Sequence, residues 1–338
     1  MFKNLISIPL VIIGYIYFLL TKKTPNFIHQ SLVRSYCFTN GKIIFFLNLF
    51  IYIEDFFIYF RKKNISKSSI FSNINYEEIN ETLKKDSYYI FSQKLPEEII
   101  NKLINFSKKN KTIYFDDSGV KKKDFFKIEA EKYDSSKYSY EISSIYNAIS
   151  QELIFEPVFI NVAKNYFGVT PHFSNLDMWW SPAKRQKLNF DTEAANKSAQ
   201  MFHFDLDKIK FLKVFIYLND ISVHNGPHEY VEGSHKINSK PKELRELGYK
   251  RLPDNLVRKY YPQDKIKKIL GSKGTIFVGD TSCYHRGVPP SADHRLLLVI
   301  EYSNSLFGGN NSHIFSNFPV KSIESGLIIK DKISYKSN

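Results

Sequence analysis

The sequence predicts an α+β protein, mainly β, in which an antiparallel sandwich or barrel carries flanking helices and a hydrophobic N-terminal extension. Three observations support this prediction. An uncharged apolar run opens the chain, helix-like segments follow it, and short β-like runs separated by turn residues fill the chain from Phe173 onwards. The chain has 338 residues, 43% hydrophobic and 24% charged, which is enough for one large core.

The apolar run covers residues 5–20 (LISIPLVIIGYIYFLL) and is followed by Lys22 and Lys23. It is slightly short for a membrane span, which needs about 20 apolar residues. No small-residue cleavage site of a signal peptide follows it. We therefore assign residues 1–24 either to a membrane anchor, with the rest of the chain in the cytoplasm, or to a helix buried in a core.

A second apolar run, residues 43–60 (IIFFLNLFIYIEDFFIYF), is interrupted by polar side chains and flanked by basic ones. This pattern predicts an amphipathic helix, which would lie at a membrane interface beside residues 5–20 or pack on the catalytic domain. Residues 66–80 are polar and are interpreted as a linker. We assign 25–82 to this extension and linker.

The next segment predicts a strand and then a helix. DSYYIF at residues 86–91 is β-like, and Pro96 with two glutamates opens a helix that places Ile99, Leu103 and Phe106 on one face. The basic residues 121–123 are predicted to form a solvated loop.

A second helical zone is predicted between Tyr140 and Phe167. Pro157 interrupts this zone, and Gly168 is a plausible helix stop.

The β-like runs after Phe173 have no helical segment predicted between them, which favours an antiparallel sheet. The runs are SNLDMWW, AQMFHFDLD, FLKVFIYL, TIFV, SCYH and RLLLVIEY. In FLKVFIYL, alternate residues share a face of the strand. One face carries Leu212, Val214, Ile216 and Leu218, and the other carries Phe211, Lys213, Phe215 and Tyr217.

The net charge of +14 would suit an anionic partner, but Lys is abundant together with Ile, Asn, Phe and Tyr, as a codon-level bias would produce. We therefore predict no nucleic-acid partner. The two cysteines, Cys37 and Cys283, are far apart, which argues against a disulfide scaffold or a thiolate zinc site and fits a reducing compartment.

His203 and Asp205 are separated by one residue in a β-like run, so their side chains leave the strand on the same face. With a distant histidine they would form the two-histidine, one-carboxylate arrangement of non-haem iron(II) oxygenases. The motif alone is weak, because 9 His and 34 acidic residues among 338 give about one such pair by chance.

Stronger support comes from GTIFVGDTSCYHRGVPPSADHRLLLVIEY, in which His285 ends one short strand and Arg295 begins the next. Folding this hairpin back brings Arg295 beside His285. A planar guanidinium there can hold the far carboxylate of an iron-bound dicarboxylate in a bidentate fashion.

At these residues the chain resembles the phytanoyl-CoA dioxygenase family of oxygenases, which have a double-stranded β-helix (jelly-roll, cupin-like) core. The resemblance covers residues 86–305 and includes LPEEI, EPVFINVAKNYFG, MWWSP, AQMFHFDLD and FLKVFIYLNDISVHNGPHEYVEGSHK. It implies that His203, Asp205 and His285 bind Fe(II). It also implies that Arg295 binds 2-oxoglutarate as co-substrate, and that O2 is consumed.

Other residues of the co-substrate pocket are less clear. Some family members carry a hydroxyl residue two positions after the distal histidine, but that position is Gly287 here, so another group would have to take its place. Trp179, Gln200 and Phe215 are candidates for lining the pocket, although core positions would suit Trp179 and Phe215 better.

Four other histidines are predicted to stay outside the site. His224, His228 and His235 lie in NGPHEYVEGSH, a predicted turn region whose polar side chains would satisfy loop backbone, so no second metal site is predicted. His294 should face away from the pocket, because it adjoins Arg295 on a strand.

The resemblance implies hydroxylation of an unactivated C–H bond in a lipid, acyl or other small organic substrate, with release of succinate and CO2. Asp205 favours hydroxylation over halogenation, because related halogenases lack this carboxylate. The catalytic domain is assigned to 83–310 and a C-terminal tail to 311–338. The substrate is expected to be a small molecule or lipid-linked, and the sequence does not predict an oligomeric state.

Two alternatives remain open. One is a cupin-like metalloenzyme that does not use 2-oxoglutarate, and the other is a non-catalytic, membrane-associated binding protein of the same fold. Arg295 argues against the first. The complete set of predicted ligands argues against the second.

Overall fold

The computed structural model describes residues 2–59, 68, 70–116, 118–130, 133–141, 144, 151–183 and 200–309. The predicted C-terminal tail, residues 311–338, lies outside the described residues, as does part of the helical zone predicted after Tyr140.

Helices flank a mainly antiparallel β structure, as predicted. The helices are α1 (Phe2–Thr21), α2 (Asn26–Thr39), α3 (Lys42–Tyr59), α4 (Tyr76–Asp86), α5 (Glu97–Lys109), α6 (Gln151–Ile154), α7 (Pro157–Phe167), α8 (Lys242–Glu246) and α9 (Asp254–Tyr260). The strands are β1 (Tyr88–Ile90), β2 (Thr112–Phe115), β3 (Lys121–Asp124), β4 (Tyr138–Ser139), β5 (His172–Ser181), β6 (Phe211–Tyr217), β7 (His228–Val231), β8 (Ile266–Ile269), β9 (Ile276–Gly279), β10 (His285–Gly287) and β11 (Arg295–Ser303).

Two sheets form the centre of the molecule. The large sheet has the order β1-β9-β6-β11-β5-β4-β2-β3, and the small sheet has the order β10-β7-β8. All of the recorded strand pairs are antiparallel. A cluster of buried side chains from both sheets, including Tyr217, Phe277 and Tyr230, lies between them. The jelly-roll prediction is therefore confirmed.

The two faces of β6 separate the two cores of the protein. Leu212, Val214 and Ile216 belong to the main core that the helices cover, whereas Phe215 and Tyr217 belong to the cluster between the sheets. This division agrees with the alternation predicted from FLKVFIYL. It leaves the inner face of β6 directed towards the space between the sheets.

Helix α7 packs on the outer face of the large sheet and has clear local signals at both ends. The Glu156 side chain accepts a hydrogen bond from the Val158 amide, and Pro157 occupies the first turn, where its missing N–H does no harm. Gly168 ends the helix at φ +75°, a left-handed conformation that glycine adopts without strain. The predicted stop at Gly168 is thus confirmed.

Three segments differ from the sequence-based predictions. Residues 121–123 belong to β3, an exposed strand at the edge of the sheet, where lysines discourage pairing with other chains. Residues 76–80 begin α4, which is capped by Asn75, so the predicted linker is shorter. Residues 228–231, predicted as a turn, form β7, and all four of its residues are buried.

The chain around the predicted iron ligands is also less regular than predicted. AQMFHFDLD forms isolated bridges at Phe202 and His203 rather than a continuous strand. Of SCYH, only His285 is in a strand.

The N-terminal helices pack together and on the catalytic region. Val11, Tyr15 and Phe18 of α1 are buried, and Tyr15 and Phe18 make edge contacts with Phe307. No helix among the described residues combines the length and apolar character needed to cross a membrane. The prediction of a spanning anchor at residues 5–20 is therefore not supported, and the alternative of a helix packed on the core agrees with these contacts.

Candidate metal and co-substrate site

The backbone holds His203 and His285 side by side. The His203 amide donates to the His285 carbonyl at 2.9 Å, and the His285 amide donates back at 2.8 Å. In each imidazole, Nδ1 lies within hydrogen-bond distance of a carbonyl two residues earlier, 2.9 Å from Met201 O and 3.1 Å from Cys283 O. These contacts favour protonation at Nδ1 and leave each Nε2 with a lone pair for a metal ion.

Asp205 completes a group of three side chains that could hold a metal ion. Its carboxylate oxygens lie 3.5 Å from His203 Nε2 and 3.5 Å from His285 Nε2, and its amide donates to Thr281 O at 2.7 Å. The three ligand atoms all lie within 4.8 Å of one another. Two imidazole nitrogens and one carboxylate oxygen suit one face of an octahedral ferrous ion, with three positions left open.

Burial determines the charge of these groups. Burial lowers the pKa of His203 and of His285 below the ordinary value of 6.5, so both imidazoles are neutral at neutral pH. Burial alone would raise the pKa of Asp205, but Lys213 and the two histidines outweigh it and hold that pKa below its usual value. The three groups are therefore in the protonation states that metal binding requires.

Lys213 supplies a buried positive charge behind Asp205. Its ammonium lies 2.7 Å from Asp205 Oδ2, 3.1 Å from Asp207 and 3.5 Å from Glu301. Glu301 is almost fully buried and accepts a hydrogen bond from Ser174 at 2.6 Å. This network orients the Asp205 carboxylate and compensates its charge.

Arg295 is buried at the start of β11. Its guanidinium donates to the Gly226 carbonyl and, at 3.1 Å, to Ser181 Oγ. Its Nε has no hydrogen-bond partner among the described residues. Burial lowers the pKa of Arg295 to about 10, so the group remains charged at neutral pH. A buried cation with an unused donor fits the binding of a carboxylate.

The proposed lining residues differ in where they lie. Phe215 stacks on Phe277 with ring centroids 4.7 Å apart, inside the cluster between the sheets. Trp179 packs against the same cluster. Gln200 is buried, and its Oε1 has no partner in the part of the chain that the structure describes. Phe215 and Trp179 therefore border the space between the sheets, and Gln200 has no recorded contact with the three ligands.

The sequence reasoning missed several residues around this site. Lys213 could have been found, because it is the one charged residue on an otherwise aromatic face of β6. Ser181 and His228 carried no such signal, since their importance depends on which strands pair. His294 lies away from the pocket as predicted, where its Nδ1 accepts from the Ala183 amide.

One family model matches the part of the chain that contains these residues. The model of the family described as Phytanoyl-CoA dioxygenase (PhyH) matches residues 100–295, which is more than half of the 338 residues. No curated protein sequence matches the chain.

Several solved structures resemble the chain in fold. AviO1 from Streptomyces viridochromogenes Tue57 is 16% identical, with a TM-score of 0.45, and the match covers 69% of this chain and 96% of that one. SnoN, a non-heme alpha ketoglutarate dependent epimerase from nogalamycin biosynthesis, is 13% identical, with a TM-score of 0.48 and coverage of 76% and 96%. HygX from Streptomyces hygroscopicus, solved with nickel and 2-oxoglutarate bound, is 13% identical, with a TM-score of 0.43 and coverage of 71% and 89%.

Proposed function

The chain belongs to the phytanoyl-CoA dioxygenase family of iron(II)- and 2-oxoglutarate-dependent oxygenases, and on that premise we propose that His203, Asp205 and His285 bind the iron. Arg295 binds the far carboxylate of 2-oxoglutarate. The observation that carries this proposal is the convergence of the three ligand atoms within 4.8 Å, in a fold that also buries an arginine with an unused donor.

When bound, iron and 2-oxoglutarate supply oxidative decarboxylation chemistry that uses O2, releases succinate and CO2, and oxidises a C–H bond of the substrate. The residues of the chain bind these groups and orient them. The carbonyls of Met201 and Cys283 hold the two imidazoles in the metal-binding tautomer. The buried aromatic residues between the sheets exclude water from the pocket.

We assign hydroxylation as the outcome of the reaction. With iron bound, Asp205 would be a ligand where related halogenases leave room for a halide, and Lys213 keeps its carboxylate ionised. The carboxylate therefore supports hydroxylation over halogenation.

The site assignment is tested by changing one ligand. His203→Ala should abolish succinate production by the purified protein supplied with Fe(II), 2-oxoglutarate and O2. His224→Ala is the matched control, because His224 is exposed in a loop of the same molecule and should keep wild-type turnover. If His203→Ala produces succinate at the wild-type rate, the assignment is wrong.

For the substrate we propose a lipid or acyl compound, on the basis of the surface of the N-terminal helices. We use the name helical apolar face for the exposed apolar residues of α1, α2 and α3. They include Ile13 and Leu20 of α1 and Phe45 of α3, which are 61%, 82% and 76% exposed. Its other exposed apolar residues are Ile6, Ile16, Tyr17, Phe27, Phe38, Phe46, Leu49, Phe50, Tyr52 and Ile53. So much exposed apolar surface favours an interaction site.

Charge favours a membrane surface as the partner of this face. No acidic residue occurs before Glu54, whereas Lys22, Lys23, Arg34 and Lys42 are exposed on the same helices. An apolar face with a basic rim suits the anionic cytoplasmic leaflet, on which the helices would lie without crossing it. A substrate dissolved in that leaflet would then be close to the enzyme.

Vesicle sedimentation tests this attachment. The wild-type protein should sediment with vesicles that contain phosphatidylserine, and less with phosphatidylcholine alone. The double variant Leu20→Ser, Phe45→Ser should stay in the supernatant. Val120→Ser, which changes an exposed apolar residue in the turn between β2 and β3, should sediment like the wild type. Equal sedimentation of all three proteins would refute the membrane surface.

The substrate class is tested by screening lipids, acyl thioesters and sugar conjugates for stimulation of 2-oxoglutarate turnover. Mass spectrometry should find a gain of one oxygen atom in the compound that stimulates. Stimulation by sugar conjugates alone would contradict a lipid or acyl substrate.

A further inference from the structure

His228 is a buried imidazole between the two sheets that the ligand assignment above does not use. It is 5% exposed and begins β7. Its ring lies 4.7 Å from the ring of Phe215 and 5.7 Å from that of Phe277, measured between centroids. The imidazole therefore faces the same interior space as the aromatic residues of the pocket.

One polar atom of this side chain is unused. The backbone amide of His228 donates to the Tyr217 hydroxyl at 3.2 Å, but Nδ1 has no hydrogen-bond partner in the described part of the chain. A buried polar atom without a partner costs on the order of 1–3 kcal/mol, and an apolar side chain would fill this position without that cost. A bound ligand would supply the missing partner.

The location of His228 indicates which part of a ligand it would contact. His228 lies opposite Gly287 in the register of β7 and β10. A Cβ atom at Gly287 would lie 2.8 Å from Arg295 Nη2. Gly287, the residue opposite His228, therefore leaves room for the Arg295 guanidinium. The Tyr217 hydroxyl accepts from the His228 amide, and Tyr217 also interacts electrostatically with Arg295.

The electrostatic environment of His228 agrees with this location. Burial lowers the pKa of His228, and the next largest cause is the Arg295 charge, ahead of His285 and His203. His228 is therefore a neutral imidazole within the electrostatic influence of Arg295.

We propose that His228 donates an imidazole N–H to the 5-carboxylate of 2-oxoglutarate beside Arg295, in place of the hydroxyl residue that position 287 lacks. This inference rests on the function proposed above and extends its co-substrate site by one residue. His228 is then a binding residue for the distal carboxylate and has no part in holding the metal.

Calorimetric binding measurements on anaerobic protein loaded with Mn(II) test this role without any turnover. His228→Leu should raise the Kd of 2-oxoglutarate by about tenfold to a hundredfold, as expected for a lost hydrogen bond to a charged group. His228→Asn, which keeps a donor, should raise it less. His224→Asn, in the exposed loop before β7, is the matched control and should leave the Kd unchanged.

Binding of a second keto acid distinguishes a lost contact with the distal carboxylate from a general structural effect of His228→Leu. 2-Oxopentanoate carries a methyl group where 2-oxoglutarate has the distal carboxylate, so its Kd should be the same in the wild type and in His228→Leu. An equal loss of affinity for both keto acids, or a 2-oxoglutarate Kd within twofold of wild type in His228→Leu, overturns the inference.

If Arg295→Met weakens 2-oxoglutarate binding while His228→Leu does not, the proposed function stands and only the role of His228 fails. A wild-type protein that does not bind 2-oxoglutarate overturns both.

Discussion

His203 and His285 exchange two backbone hydrogen bonds, of 2.9 and 2.8 Å, and their rings stand side by side with centroids 4.3 Å apart. The two residues are far apart in the sequence, and they are joined by an isolated β-bridge and not by a continuous strand pairing. Since main-chain atoms make the bridge, it does not depend on the imidazoles. Metal binding and folding should therefore respond differently to substitution here.

His285→Ala should lower the affinity for Mn(II) by at least about a hundredfold, because a ligand loss exceeds the 10- to 100-fold effect of losing an outer partner. The metal-free variant should lose less than about 2 kcal/mol of unfolding free energy, because the backbone bridge remains. Spin-resonance titration and urea unfolding measure the two quantities. Wild-type Mn(II) affinity in this variant would contradict the ligand role.

Arg295→Lys should raise the KM for 2-oxoglutarate by about tenfold or more, with a smaller change in kcat. A lysine keeps the charge but cannot form the bidentate contact of a guanidinium. Succinate production at varied 2-oxoglutarate concentration measures both constants. An unchanged KM would indicate that Arg295 does not contact the co-substrate.

Lys213→Met should destabilise the metal-free protein by about 3–5 kcal/mol, because Asp205, Asp207 and Glu301 would lose their shared buried cation. Mn(II) should restore more stability to this variant than to the wild type, since the metal ion would compensate the same carboxylates. Urea unfolding with and without Mn(II) tests both statements. Equal metal-free stabilities would show that the ion pairs contribute no net free energy.

Gly226→Ala should cost at least about 2 kcal/mol of unfolding free energy. Gly226 has φ +73°, which costs a residue with a side chain about 1–2 kcal/mol, and a Cβ there would overlap the Val288 carbonyl oxygen. Gly248→Ala is the matched control, because its φ of +75° is similar but, apart from its chain neighbours, no atom of the described residues lies within 4 Å of its Cβ position. Thermal unfolding should show the larger loss at Gly226.

The metal-free protein should lose stability as the pH falls below about 6.5. Burial lowers the pKa of His203, His228 and His285, so in this range the unfolded chain binds protons that the folded chain does not. Each histidine contributes a slope of at most about 1.4 kcal/mol per pH unit. Urea unfolding in a chelating buffer between about pH 7.5 and 5.5 measures the slope.

His228→Leu should reduce this slope, because one of the three histidines is removed. His224→Ala should leave the slope unchanged. A wild-type profile that is flat over the same range would mean that these imidazoles are not buried in the neutral form.

Much of the fold was predictable because it depends on local patterns. The alternation in FLKVFIYL correctly divides β6 into a face for the helices and a face for the site. RLLLVIEY is a buried central strand, and Gly168 ends α7. In each case the decisive interactions lie within a few residues of sequence, or follow from burial of one whole face.

Polar residues in buried strands were not predictable in this way. HEYV lies in NGPHEYVEGSH, which was predicted as a turn region, yet Glu229 is buried and forms a 2.6 Å ion pair with Arg286 of β10. The partner that makes burial of Glu229 tolerable lies on another strand, 57 positions away. The residues next to Glu229 in the sequence do not indicate such a distant partner.

The sequence by itself predicted the chemical donors: His203, Asp205 and His285 for a metal ion, and Arg295 for a carboxylate. Only the tertiary structure decided what surrounds them, with Lys213 behind Asp205, Ser181 beside Arg295, and His228 opposite Gly287. The physical reason is that a ligand's identity is a property of one residue, whereas its charge, tautomer and orientation depend on neighbours that strand pairing brings from distant parts of the chain.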